Sequence, residues 1–223
     1  YFVQHGPDGH AFSYLRRGSA ASLMTPALLQ SGLIERSRFL HVSGISMAIS
    51  TSACDTVFAA IARAHAAGAQ VSLDSNLRLR LWPVDRARAV LREAMREADV
   101  FLPSMDDMQH LTGNDDPERT LDWIRDGGAA GVVVLKLGKD GSIIDDGRTR
   151  TPVAALRVEA VDATGAGDCF AGSLLARRCR GDSWEDAVRY ANAAAALSTL
   201  GYGAVDPLPR AEQVLERLKS LAG

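Results

Sequence analysis

Apolar positions along the chain switch between two periods, after a start that is all strand. Residues 1–4 and 11–15 are short β-prone runs around a 5–9 segment (His-Gly-Pro-Asp-Gly) rich in turn formers, a pattern that predicts a hairpin. After it, short apolar runs at 39–42, 71–73, 100–102 and 132–135 alternate with helical patterns at 51–67, 85–98 and 116–126. Strands alternating with helices predict parallel βαβ units with right-handed crossovers. Residues 141–144 and 151–156 read as antiparallel additions to one side of the sheet, and helices over 165–178, 183–197 and 210–221 finish the chain. The expected fold is α/β, a doubly wound and mostly parallel sheet with helices on both faces. In such sheets ligands sit beyond the carboxyl ends of the strands, so the residues just after each apolar run are the candidates for chemistry.

Composition narrows the function classes. The 223 residues are 47% hydrophobic and 23% charged, with 25 basic against 27 acidic side chains, so no overall field favours nucleic acid or an anionic membrane. No apolar run approaches membrane-spanning length, and the first residues lack a signal-peptide layout. Cys54, Cys169 and Cys179 show no C-x-x-C spacing, which suggests neither a disulfide framework nor a zinc site and fits a cytoplasmic location. The five histidines show no metal-ligand spacing either, and read as surface or internally satisfied residues.

The most informative stretch is Val161-Asp-Ala-Thr-Gly-Ala-Gly-Asp-Cys-Phe-Ala-Gly172, a small-residue turn running into a helix. Gly165 and Gly167 lack Cβ atoms, so the backbone bends tightly and a ligand can approach the peptide N–H groups, which at a helix start have no intrahelical acceptor. Those donors and the positive helix end together make an anion site. Asp168 in the first turn places a carboxylate base beside that cradle, a pairing suited to phosphoryl transfer. Read alone, the segment serves equally as a close-packed helix start with Asp168 as a first-turn charge. The spacing misses G-x-G-x-x-G, no P-loop precedes Gly138-Lys139, and no protein-kinase signature set is present.

Other candidates follow the strand ends. Arg78, in Asp74-Ser-Asn-Leu-Arg-Leu-Arg-Leu-Trp82, leaves the carboxyl end of a central strand, and its planar fork of donors could grip a carboxylate; a solvated arginine is the bland reading. Tyr14 and Arg16, in Tyr-Leu-Arg-Arg-Gly-Ser-Ala, fall on one face of a β-run by alternation, or belong to an exposed edge strand. Lys136, Gly138 and Gly141 lie at a strand-and-turn junction. Asn192 is a poor choice for a helix interior on propensity, which a nearby ligand would explain as well as local hydrogen bonding.

The string Asp162 to Asp168, followed by Cys-Phe-Ala-Gly172, resembles the C-terminal signature of the ribokinase-like (PfkB) carbohydrate kinases. The resemblance implies that Gly165, Ala166 and Gly167 form the anion hole for the transferring phosphoryl group and that Asp168 accepts the hydroxyl proton. The Tyr14 to Ala20 and Asp74 to Trp82 patterns resemble the 2-keto-3-deoxygluconate kinases of that family, which implies substrate contacts by Tyr14, Arg16 and Arg78. It further implies ATP with Mg2+ as cofactors, nucleotide-side roles for Ser104, Lys136, Gly138, Gly141 and Asn192, and a metal contact by Asp107, through water.

The chain departs from the pattern in three places. Ser104 and Asp107 stand where the family has Asn and Glu, and Asp is one methylene shorter. Ala204 replaces an acidic substrate contact of some relatives. The opening segment of the family pattern is missing, so residues 1–17 read as the remnant of a β lid, residues 18–223 as the α/β domain, and the polypeptide as a fragment of a longer product. The implied partners are a sugar acid and ATP, without nucleic acid or membrane; a homodimer through the lid is the expectation by analogy. Two rivals stay open: a kinase of fructose, ribose or a nucleoside, and a non-catalytic nucleotide-binding subunit.

Overall fold

The computed structural model describes residues 2–6, 9–13, 15–29 and 32–222. Among them β1 (Phe2–Gly6) and β2 (Gly9–Ser13) form an antiparallel ladder that makes its own sheet. β2 ends at Ser13, two residues before the pattern predicts. The chain turns at Arg17-Gly18, where Gly18 takes φ +74°, and the Arg16 carbonyl accepts from the Ser19 N–H at 3.0 Å. Strand alternation therefore does not reach Arg16, and Tyr14 lies outside the described residues.

The main sheet has six strands in chain order: β3 (Phe39–Ser43), β4 (Gln70–Asp74), β5 (Val100–Leu102), β6 (Val132–Lys136), β7 (Ser142–Asp145) and β8 (Arg150–Val153). β3 to β6 are parallel, and β7 and β8 add antiparallel, as the pattern predicts. The crossovers carry α1 (Gly44–Ala48) and α2 (Thr51–Ala66), then α3 (Val84–Arg96), then α4 (Met105–Thr112) and α5 (Pro117–Asp126). α6 (Ala166–Cys179), α7 (Trp184–Ser198) and α8 (Ala211–Ala222) follow the sheet. Side chains cap the helices where the sequence places Ser or Asp. Asp116 accepts from the N–H groups of Glu118 and Arg119, with Pro117 at the first helical position, and Ser50 and Ser183 cap α2 and α7. α1 and α4 do not appear in the periodicity because five and eight residues are too few to express a 3.6-residue repeat.

Strand alternation separates two cores. Val42, Leu73, Phe101, Val133 and Leu135 pack against Met47, Ile61, Leu91, Met108 and Leu121 of α1 to α5. Val100, Leu102, Val134 and Ile144 face the other way, onto Phe170, Leu174, Val188 and Ala191 of α6 and α7. Both faces are thus covered. Fully burying one such side chain stabilises by about 1.5–3 kcal/mol, and cutting Leu135 back to Ala, at 0% exposure, would cost about 2–5 kcal/mol. This packing fixes the strand ends to which the polar residues are attached.

Candidate active site

At the carboxyl ends of the parallel strands, polar side chains replace the apolar ones. Asp74 closes β4 and Lys136 closes β6, on opposite sides of β5, which stops at Leu102. Past that shorter strand Lys136 Nζ reaches Asp74 Oδ1 at 2.9 Å, with side-chain exposures of 13% and 5%. Ser75 and Ser104 knit the neighbouring ends together. The Ser75 hydroxyl donates to Asp107 Oδ2 at 2.6 Å and accepts from the Ser104 N–H at 3.3 Å, while Ser104 Oγ caps α4 by accepting from the Asp107 N–H at 3.2 Å. Ser104 also bridges to Lys136 in parallel register. Three of the predicted residues, Ser104, Asp107 and Lys136, are therefore brought into one connected group.

The start of α6 opens beside this group. Gly165 takes φ +80° and ψ 0°, a left-handed conformation that costs glycine little, and turns the chain into the helix. The Ala166 N–H donates back to the Ala163 carbonyl at 3.1 Å, and the helical bonds resume with the Cys169 N–H on the Gly165 carbonyl at 2.9 Å. Among the described residues the N–H groups of Gly167 and Asp168 meet no acceptor. Both residues are exposed. Part of the expected donor set therefore shifts: Ala166 is engaged within the turn, while the Gly165 N–H, like those of Gly167 and Asp168, meets no acceptor among the described residues. A Cβ built on Gly167 would lie 3.8 Å from Lys136 Nζ, which places the ammonium beside the helix mouth.

Two residues outside the predicted set complete the neighbourhood. Asp162, at 2% exposure, accepts from the Thr164 N–H on Oδ1 and from the Gly203 N–H on Oδ2, both at 2.9 Å, and so ties the glycine turn to the loop after α7. His41 on β3 meets Ser72 Oγ through Nδ1 at 3.1 Å. Its surroundings hold the imidazole below the usual histidine range: desolvation is the main cause, Lys136 adds to it, and Asp74 and Asp168 oppose it. The charges that act on one ring thus come from β4, β6 and α6 together. Strand position signals Asp74 in the sequence, and nothing comparable signals His41.

The remaining predicted residues play distinct parts. Gly141 is buried, and a Cβ there would stand 2.2 Å from the Val153 carbonyl oxygen, so the close approach of β7 to the end of β8 requires glycine. Gly138, at φ +60°, forms the exposed turn between β6 and β7. Asn192 is 7% exposed and spends its amide on the fold: Nδ2 donates to the carbonyls of Val153 and Ala154 at 3.1 and 3.3 Å, and Oδ1 accepts from Ser142 Oγ at 2.8 Å. This clasp explains its place in a helix interior without a ligand. Arg78 is half-buried in the turn after β4 and donates through Nη1 to the Leu77 carbonyl at 2.7 Å. Two residues before it, Asn76 takes φ +31°, the one positive φ outside glycine among the described residues, and its buried Oδ1 meets no donor. Strain of this kind concentrates at ligand-facing turns. Arg16 is half-buried beside the Gly18 turn, where its carbonyl accepts from the Ser19 N–H.

Two shallow hollows lie elsewhere, one between the 200–210 loop and α8, the other between α5 and the β7–β8 turn. Neither contains the strand-end group. Among the described residues no helix is long and apolar enough to cross a membrane, and no group of three His, Cys, Asp or Glu could hold a metal ion.

The chain is 34% identical over 211 residues to a 2-dehydro-3-deoxygluconokinase of Bacillus subtilis and 36% identical over 219 residues to a fructokinase-2 of Zea mays, in each case over 93% of this chain. It spans 64% of the length of each of those relatives. Its fold superposes with a TM-score of 0.84, at 31% identity, on a fructokinase of Vibrio cholerae solved with fructose, ADP and a calcium ion, covering 96% of this chain and 70% of that one. The sequence model of the pfkB family carbohydrate kinases matches residues 1–211, and the chain belongs to that family.

Proposed function

We propose that the protein transfers the terminal phosphoryl group of ATP to the 6-hydroxyl of 2-keto-3-deoxygluconate, giving the 6-phosphate. The observation that carries this reading is the start of α6, where N–H groups without acceptors, the Lys136 ammonium and the Asp168 carboxylate lie together. In phosphoryl transfer the protein chiefly positions the reactants and stabilises charge. The Gly167 and Asp168 N–H groups and the positive end of α6 stabilise the transferring oxygens, and Asp168 takes the proton from the attacking hydroxyl. Asp74 is a poor alternative base, because its carboxylate is nearly buried and engaged by Lys136.

ATP would lie along the β6–β7 junction. Lys136, Ser104 and the Gly138 turn would face its phosphates, and Gly141 and Asn192 would shape the wall by holding residues 153–155 in place. Magnesium fits this donor set as a hydrated ion: one oxygen of Asp107 accepts from Ser75, the other is left for water, and Mg2+ commonly uses one or two carboxylates with waters and phosphates. When bound it supplies neutralisation of phosphate charge. Tyr14, Arg16 and Arg78 would hold the sugar acid, since a guanidinium matches a carboxylate in a way that a neutral sugar does not use. Residues 1–17 would act as part of a lid, and as the contact of a homodimer in a cytoplasmic enzyme.

Fructose is the second reading, favoured by the comparable identity to the maize fructokinase. A panel of 2-keto-3-deoxygluconate, fructose, ribose and a nucleoside, assayed with the full-length gene product and MgATP, separates them. Turnover at least tenfold faster on the sugar acid supports the proposal; preference for fructose replaces it, and ATP binding without transfer to any sugar favours a non-catalytic subunit.

A further inference from the structure

We propose that Asp74 is a positioning residue that holds the Lys136 ammonium at the mouth of α6, where it meets the terminal phosphate of ATP rather than the inner two. The inference rests on the kinase reading above and adds a role for a residue that sequence patterns leave unassigned. The pair spans two strands that are not neighbours, so its geometry is set by the sheet and not by a flexible surface contact. Lysine has three N–H donors. Asp74 Oδ1 takes one at 2.9 Å, the one hydrogen bond that Nζ makes among the described residues. The ammonium lies 3.8 Å from the Cβ position of Gly167, next to the N–H groups left open there.

Energetics favour function over stability as the reason for the pair. A nearly buried ion pair adds little net stability over a well-packed apolar pair of similar size, because desolvation offsets the attraction. Here the cation also stands near the positive end of a helix, a further unfavourable contact until an anion arrives. Asp74 offsets part of that cost and fixes the ammonium in one place. A fixed cation beside open N–H donors is complementary to the charge on a transferring phosphoryl group. ADP, which lacks the terminal phosphate, would not reach it.

The test compares wild type, Asp74→Asn, Lys136→Met and the double variant in the full-length protein, by calorimetric titration with ATP and with ADP, thermal unfolding, and steady-state kinetics. A charge-assisted hydrogen bond contributes about 1.5–3 kcal/mol, which corresponds to roughly 10- to 150-fold in affinity. Each single variant is expected to weaken ATP by about that factor and ADP by less than about twofold, with kcat falling in parallel and KM for the sugar unchanged. The double variant, which leaves no unpaired buried charge and so guards against misfolding of the singles, is expected to match Lys136→Met, because the two residues act as one unit. Equal weakening of ATP and ADP, unchanged ATP affinity in Asp74→Asn, or losses that multiply in the double variant would overturn the inference. If wild type prefers ATP over ADP but phosphorylates no sugar, the substrate reading fails and the ATP-to-ADP ratio of the variants still decides this one; if wild type binds no ATP, both fail.

Discussion

Gly165 and Ala204 touch: a Cβ added to Gly165 would stand 2.8 Å from the Ala204 Cβ and 3.1 Å from its Cα. The loop after α7 is thereby pressed against the start of α6, and the Asp162 contact with the Gly203 N–H at 2.9 Å fixes it there. Ala204 thus packs its small side chain on the turn that opens α6.

That contact separates the roles of the two glycines. Gly165→Ala would combine a left-handed φ with a clash, and is expected to destabilise the protein by about 1–3 kcal/mol. Gly167→Ala meets nothing closer than Lys136 Nζ and is expected to fold with a melting temperature near wild type. Its methyl group would instead occupy the approach to the open N–H donors, so kcat should fall by about 10²–10³, the usual loss when one such donor is removed. Thermal unfolding and kinetics on the two variants check this pair; a Gly167→Ala enzyme with full turnover would contradict it.

Asn192→Ala removes the clasp between α7 and the end of β8. It leaves the Ser142 hydroxyl and the carbonyls of Val153 and Ala154 without their partner. The expected cost is about 1–3 kcal/mol in urea unfolding, as for a buried polar group left unsatisfied. A neutral substitution would show that solvent reaches the site freely.

Acid should loosen the β7–β8 hairpin first. Burial alone would raise the Asp145 carboxyl, but hydrogen bonds from Arg125 and the Gly147 N–H, with the charges of Arg125 and Arg150, hold it below the ordinary carboxylate range. A carboxylate lowered on folding contributes stability above its unfolded value, about 3.9, and loses it as the pH falls through the folded value. Asp145→Asn is expected to cost about 2–4 kcal/mol at neutral pH, toward the lower end for breaking a buried pair because Arg125 keeps 19% exposure, and to flatten the fall in stability below about pH 4. Unfolding curves between about pH 7 and 3 measure both effects.

Much of this was legible in the residues. The alternation of strand and helix patterns predicts the parallel βαβ units and the antiparallel edge, and the Gly-Ala-Gly-Asp string predicts a tight turn into a helix. Other features depend on distance in the fold. Asp74 and Lys136 are 62 positions apart and meet because β5 is the shorter strand between them. Asn192 looks like a ligand contact from its helix position, yet its amide is satisfied by strand carbonyls that periodicity cannot locate. Arg16 follows a strand that ends early because Gly18 turns the chain, which alternation alone does not foresee.

The central claim is that Asp168 accepts the proton of the attacking hydroxyl beside the open end of α6. Replacing it by asparagine keeps the size and removes the base. In the full-length protein Asp168→Asn is expected to bind MgATP with affinity close to wild type and to lower kcat by at least about 10², the scale of general base catalysis. Turnover within about threefold of wild type would contradict the account.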